Sequence, residues 1–230
     1  MQLYGLYKLT LLDFPGQLAC TAFTGYCNLR CPFCHNAELV LHPETQPVIS
    51  ENEFFSFLKT RQGILEGVCL TGGEPTLQPD LLPFLRKIKE LGFLIKLDTN
   101  GTHPEVLEPL LTERLLDYVA MDIKNTKENY ALTTGLLHFD TAPIEKSIAL
   151  IRQYAPDYEF RTTVVQGLHT KEDLINIGNL LAGAKRYVLQ TFQNSGNLLE
   201  DHGLSAFSAE EMLAFEEMLQ PFFEEVILRP

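Results

Sequence analysis

Three of the five cysteines, Cys27, Cys31 and Cys34, fall within eight positions of the stretch "TGYCNLRCPFCHN". Thiolates are soft ligands that select zinc, copper(I) or iron–sulfur clusters. A structural zinc site wants four ligands, usually from two C-x2-C pairs. This chain has one C-x3-C-x2-C run and no fourth cysteine beside it. His35 or His42 could complete a zinc set, but His35 adjoins Cys34 and would strain to reach the same ion. A four-iron cluster normally takes four cysteines; with three, one iron keeps an open position for a substrate or cofactor. Read alone, "CPFCH" also matches the C-P-x-C of a thiol–disulfide oxidoreductase. Cys27 argues against that reading, because a two-thiol exchange site has no use for a third thiol.

Further groups with chemical potential recur along the chain. "TGGEPT" (71–76) offers Gly72 and Gly73, which allow close approach to the backbone. It also offers Glu74, a carboxylate suited to an amine or, more plainly, to the first turn of a helix. "DTNG" (98–101) carries Asp98 and Thr99 but also reads as an Asn-Gly turn. In "MDIK" (121–124), Asp122 and Lys124 are two apart and so share one face of a strand, as a functional pair or as a structural ion pair. Arg161 and Gln190 add a charge and an amide further on. The six histidines, at 35, 42, 103, 138, 169 and 202, form no ligand pair.

The elements that must position these groups are legible from the apolar pattern. Nearly continuous apolar runs at 18–25, 67–72, 93–100, 118–124, 158–165, 186–192 and 226–229 predict parallel strands covered on both faces. Between them lie amphipathic stretches with helix signals. Ser50 with Glu53 and Ser208 with Glu211 are capping boxes, and Thr170 is a third N-cap. Stripes such as Ile144, Ile148 and Ile151, or Met212, Phe215 and Leu219, read as core faces. A strand–helix unit repeated about six times without a linker predicts one α/β domain over residues 1–230, with 1–17 an extension packed on it. Either an open doubly wound sheet or a barrel of parallel strands satisfies the pattern. Both collect active sites at the carboxyl ends of the strands. The thiol loop, "TGGEPT", "DTNG" and "MDIK" all fall at such ends.

Composition narrows the class. Thirty acidic residues against eighteen basic ones give a net charge of -12, which disfavours nucleic acid as a partner. No apolar run approaches the roughly 20 residues that span a bilayer, and "MQLYGLYKLT" is not a secretion signal. These features predict a cytoplasmic protein without membrane association, in which thiols stay reduced. Cys20 and Cys69 lie in apolar runs and read as buried small hydrophobes.

With C-x3-C-x2-C after the first predicted strand and GGE-P after the second, the chain resembles the radical S-adenosylmethionine superfamily. The stretches "LLDFPGQLACTAFTGYCNLRCPFCHNAEL", "LDTNG", "MDIK" and "FRTTVV" narrow the resemblance to activases of glycyl-radical enzymes, most of all those of anaerobic ribonucleotide reductases. The resemblance implies a partial (β/α)6 TIM-like barrel of parallel strands. It implies that Cys27, Cys31 and Cys34 bind three irons of a [4Fe–4S] cluster and that S-adenosylmethionine chelates the fourth. Gly72, Gly73 and Glu74 would hold its ammonium, the backbone near Phe33 would border the adenine, and Lys124 would meet its carboxylate. Asp98, Thr99 and Asp122 would form a monovalent-cation site, with Arg161 facing the same pocket. The implied reaction is one-electron cleavage of S-adenosylmethionine to a 5′-deoxyadenosyl radical, which takes a hydrogen from a glycine of the partner enzyme. Flavodoxin or a similar protein would donate the electron. Pyruvate formate-lyase activases carry a histidine late in the sixth strand; here the position reads "LQTFQ", leaving Gln190, Phe192 or Gln193. A radical enzyme acting on a small molecule or peptide, and a zinc or thiol–disulfide protein, are the competing readings.

Overall fold

The computed structural model describes residues 1–194, 196, 198–200 and 203–229. His202, one of the six histidines, lies outside the described residues. Eight strands follow the chain: β1 (Gly5–Thr10), β2 (Ala19–Thr24), β3 (Gly67–Gly72), β4 (Leu94–Thr99), β5 (Tyr118–Asp122), β6 (Tyr158–Val164), β7 (Ala184–Thr191) and β8 (Phe223–Arg229). Their order in the sheet is their order in the chain. β2, β3 and β4 pair in parallel, as do β6, β7 and β8, whereas β1 runs antiparallel to β2. The fold is thus α/β with an open, mostly parallel sheet. The chain separates into two compact units. One comprises Met1–Asn28, Glu38–Ala120 and Pro143–Asp157; the other comprises Leu29–Ala37, Met121–Ala142 and the chain from Tyr158 on.

In the first unit, the predicted strands at 18–25, 67–72 and 93–100 stand as β2, β3 and β4, each within a residue or so of the expected ends. β1 is an addition: residues 1–17, expected to be an extension, contribute an edge strand. Its mixed pattern "GLYKLT", with Tyr7, Lys8 and Leu9 exposed, lacks the apolar continuity that marked the other strands. Helices α1 (Ala37–Leu41), α2 (Glu51–Lys59), α3 (Leu81–Glu90) and α4 (Pro104–Thr112) follow. The Ser50–Glu53 capping box forms as expected, and α2 buries Phe54 and Leu58. Phe54 stacks on Phe84 of α3 with ring centroids 5.4 Å apart. Pro104 opens α4, where a missing N–H costs nothing.

The second unit carries β6 to β8 with α5 (Tyr130–Thr133), α7 (Lys171–Leu181) and α8 (Ala209–Leu219); α6 (Ala142–Tyr154) lies almost wholly in the first. Thr170 caps α7 in a full box with Asp173, and Ser208 caps α8 with Glu211. Leu174, Ile177 and Leu181 of α7 are buried, as is the predicted stripe of Met212, Phe215 and Leu219. β8 begins at Phe223, three residues before the predicted 226–229, because Phe223 pairs in register with Ala184. Among the described residues, no helix is long and apolar enough to cross a membrane.

Candidate active site

The first unit holds Cys27 and the loops that follow β3 and β4. Gly72 has φ +113°, which only glycine adopts readily. A Cβ there would sit 2.4 Å from the Thr24 carbonyl oxygen, and one on Gly73 would sit 1.9 Å from that of Tyr26. The two glycines thus admit the chain's own backbone just before Cys27. Main-chain bonds seal the crossing: Gly73 N–H donates to Thr24 O at 2.9 Å and Glu74 N–H to Tyr26 O at 2.7 Å. The GGE loop therefore fixes where the thiol loop begins.

Glu74 is 1% exposed. Its Oε1 accepts from Thr76 N–H (3.0 Å), Thr76 Oγ1 (2.5 Å) and Thr99 Oγ1 (2.8 Å), and its Oε2 accepts from Asn100 N–H (2.7 Å). Burial pushes this carboxyl up from its ordinary value, against the pull of those four donors. This side chain, expected to meet an ammonium, is a strut between the β3 and β4 loops. Thr99, from the expected cation site, spends its hydroxyl on that strut and accepts from Gly101 N–H at 3.1 Å. Asp98 is ion-paired with the buried Lys96, two residues before it on β4. Cys69, expected to be a plain buried hydrophobe, is fully buried but has Lys96 Nζ 3.8 Å from its sulfur. Cys20 fits that description better: burial raises its thiol to about 12.

The second unit holds Cys31, Cys34 and the residues after β5. Cys34 N–H donates to Cys31 O at 3.0 Å, so the C-x2-C segment is one tight turn. Phe33 is buried, with Lys124 Nζ 6.0 Å from its ring centroid. Burial raises the Cys34 thiol, while Lys124 and Arg30 pull it down. Asp122 bridges two cations: Lys124 Nζ lies 2.9 Å from its Oδ2 and Arg161 Nε 2.8 Å from its Oδ1. Burial alone would raise Asp122 and lower Lys124, but the pairing reverses both, leaving the carboxyl well below and the amine well above its usual range. Glu159, fully buried, holds Arg229 through two bonds of 2.8 and 2.7 Å and lies 3.9 Å from Arg161. These contacts join Lys124, Arg161 and Arg229 to the carboxylates of Asp122 and Glu159. Gln190 Oε1 lies 3.4 Å from Thr163 Oγ1 on the neighbouring strand.

Sequence reasoning passed over Lys96, Glu159 and Asn100. Lys96 and Glu159 had a usable signal, since each is a charge inside a predicted buried strand. Arg229, the partner of Glu159, had none.

The protein-family model for the radical SAM superfamily matches residues 21–181. The chain belongs to that superfamily. It is 30% identical to a candidate glycyl-radical enzyme activating enzyme of Methanocaldococcus jannaschii, over 98% of this chain and 94% of the relative. It is also 30% identical to a candidate GTP 3′,8-cyclase of Thermococcus kodakarensis, over 66% of this chain and 48% of that one. In fold it is similar to Streptococcus suis SuiB bound to S-adenosylmethionine, with a TM-score of 0.68 and 14% identity over 90% of this chain and 49% of SuiB. The chain thus spans about half the length of the last two.

Membership implies a [4Fe–4S] cluster and S-adenosylmethionine. The donor chemistry fits. None of the five cysteines is in a disulfide, and three share one short loop. An amide N–H, from Asn100, reaches Cys27 Sγ at 3.7 Å. Among the described residues, no three His, Cys, Asp or Glu side chains are gathered so as to hold a single metal ion.

Proposed function

We propose that this protein is a radical S-adenosylmethionine activase that installs a glycyl radical on a partner enzyme of the anaerobic ribonucleotide reductase type. One observation carries the reading: the similarity to the Methanocaldococcus activating enzyme runs through 98% of this chain and 94% of the relative. In this reading Cys27, Cys31 and Cys34 hold the cluster through three irons. When bound, the cluster and S-adenosylmethionine supply a one-electron cleavage that produces a carbon-centred radical.

The rest is the work of the chain. The β3 loop, crossed tightly by residues 24–26, sets the start of the thiol loop and leaves backbone carbonyls as the groups it can offer an ammonium. Lys124, kept charged by Asp122, would pair with the carboxylate of S-adenosylmethionine, and Arg161 adds to the same positive field. A monovalent cation would compete with Lys96 for Asp98, and with Lys124 and Arg161 for Asp122. Those ion pairs are therefore the resident partners. Gln190, Phe192 or Gln193 would stand where pyruvate formate-lyase activases have a histidine. A small acidic electron donor such as flavodoxin would have to approach a chain of net charge -12, so the meeting surface must concentrate the local positive charge.

The test is anaerobic reconstitution with iron and sulfide, then reduction with S-adenosylmethionine and an anaerobic ribonucleotide reductase. A glycyl radical on the partner, seen by electron paramagnetic resonance, is the expected result. The relatedness to GTP 3′,8-cyclases favours a second reading, in which a small molecule is the substrate. Formation of 5′-deoxyadenosine with GTP or a peptide consumed, and no protein radical, would select it. A colourless protein holding one zinc would reject both.

A further inference from the structure

The loop after β4 carries a residue whose side chain does more than form a turn. Asn100 is 5% exposed. Its main-chain N–H is held by Glu74 Oε2 at 2.7 Å. Its Oδ1 accepts from Thr102 N–H at 3.0 Å and from Thr102 Oγ1 at 2.6 Å. An oxygen pinned by two donors leaves the amide no freedom to flip, so its NH2 group points the other way. The two amide hydrogens then have one partner each: Asn28 Oδ1 at 2.9 Å and Cys27 Sγ at 3.7 Å. Asn28 is held in turn, because its own amide donates to Thr102 Oγ1 at 2.9 Å. Every member of this network lies in the first unit.

We infer that Asn100 is a positioning residue for the Cys27 sulfur, holding its rotamer and, through an N–H···S hydrogen bond, raising the reduction potential of the cluster that Cys27 ligates. The inference rests on the reading of Cys27 as a cluster ligand. A one-electron reduction adds negative charge to the cluster and its sulfurs. A donor aimed at a ligand sulfur is therefore bound more strongly in the reduced state and favours it. The network also connects two loops: Glu74 sets the Asn100 backbone, Thr102 sets its amide, and the amide meets the thiol. That connection explains why Glu74 is buried among donors rather than turned outward.

The experiment is a potentiometric titration of the reconstituted protein, following the reduced cluster by electron paramagnetic resonance, with iron counted in each sample. Asn100→Ala removes the donor; Asn100→Asp removes it and places a carboxylate against the sulfur. Both are expected to load iron, with potentials more negative than the parent in the order parent, Ala, Asp. Thr102→Val, which removes one of the two bonds pinning Oδ1, should shift the potential in the same direction by less. It also serves if the Asn100 variants do not fold. Potentials unchanged in whichever variants load would overturn the inference while leaving the cluster assignment standing. A parent protein that takes up no four-iron centre would overturn the assignment and the inference together.

Discussion

Replacing Glu74 tests whether the GGE carboxylate is a strut. Glu74→Ala removes the acceptor for four donors at once. The two threonine hydroxyls can rotate toward other partners, but the main-chain N–H groups of Thr76 and Asn100 cannot. Each buried donor left without a partner costs about 1–3 kcal/mol, so the pair predicts a loss of about 4 kcal/mol. For a chain of this size 1 kcal/mol moves the melting temperature by roughly 2–4 °C, so the variant should melt about 8–16 °C lower. Glu74→Gln keeps the volume and one oxygen. That oxygen can serve Thr76 and Thr99, while the new NH2 faces Asn100 N–H, donor against donor. It should lose only the one bond, about 1–3 kcal/mol. Urea unfolding of the cluster-free protein, followed by circular dichroism, separates this effect from cluster binding. If Glu74→Ala lies within about 1 kcal/mol of the parent, the donors are satisfied without the carboxylate and the strut argument fails.

Three further outcomes follow from the same geometry. Gly73→Ala puts a Cβ 1.9 Å from the Tyr26 oxygen, so it should melt well below the parent and bind less iron; iron counts and a melting curve equal to the parent's would contradict the crossing. His169 is buried, its Nδ1 accepting from Val165 N–H at 3.1 Å while Nε2–H donates to Lys124 O at 2.8 Å. Burial lowers its folded value below the ordinary 6.5. The unfolded chain therefore takes up the proton first, and stability should fall as pH drops below 6.5, with a flatter urea-midpoint profile in His169→Gln. Asp122→Asn leaves Lys124 and Arg161 facing each other without their shared carboxylate. Because Asp122 is 28% exposed, the loss should be about 2 kcal/mol, below the 3–5 of a fully buried pair, and restored in part by Arg161→Met.

Most of the fold was legible because the strands of a sheet covered on both faces must be continuously apolar. "GVCLTG" and "YVAMD" have few other stable destinations. β1 was not legible, because an edge strand with one exposed face obeys a weaker pattern. The three-thiol loop stood out because C-x3-C-x2-C is a local spacing, readable whatever the rest of the chain does. Asn100 was not, since "NG" is sufficiently explained as a turn and its contact with Cys27 spans 73 positions.

The sequence alone therefore determined the strand-by-strand placement of the motifs and the family. Those depend on local spacing and on apolar periodicity, which the chain carries wherever it goes. Tertiary structure decided the roles of individual side chains: that Glu74 is spent on two loops, that Gly72 and Gly73 make room for backbone, and that Asn100 reaches a thiol. Each depends on loops from different strands abutting within hydrogen-bond range, and parallel strand pairing sets that distance, not the order of residues within any one loop.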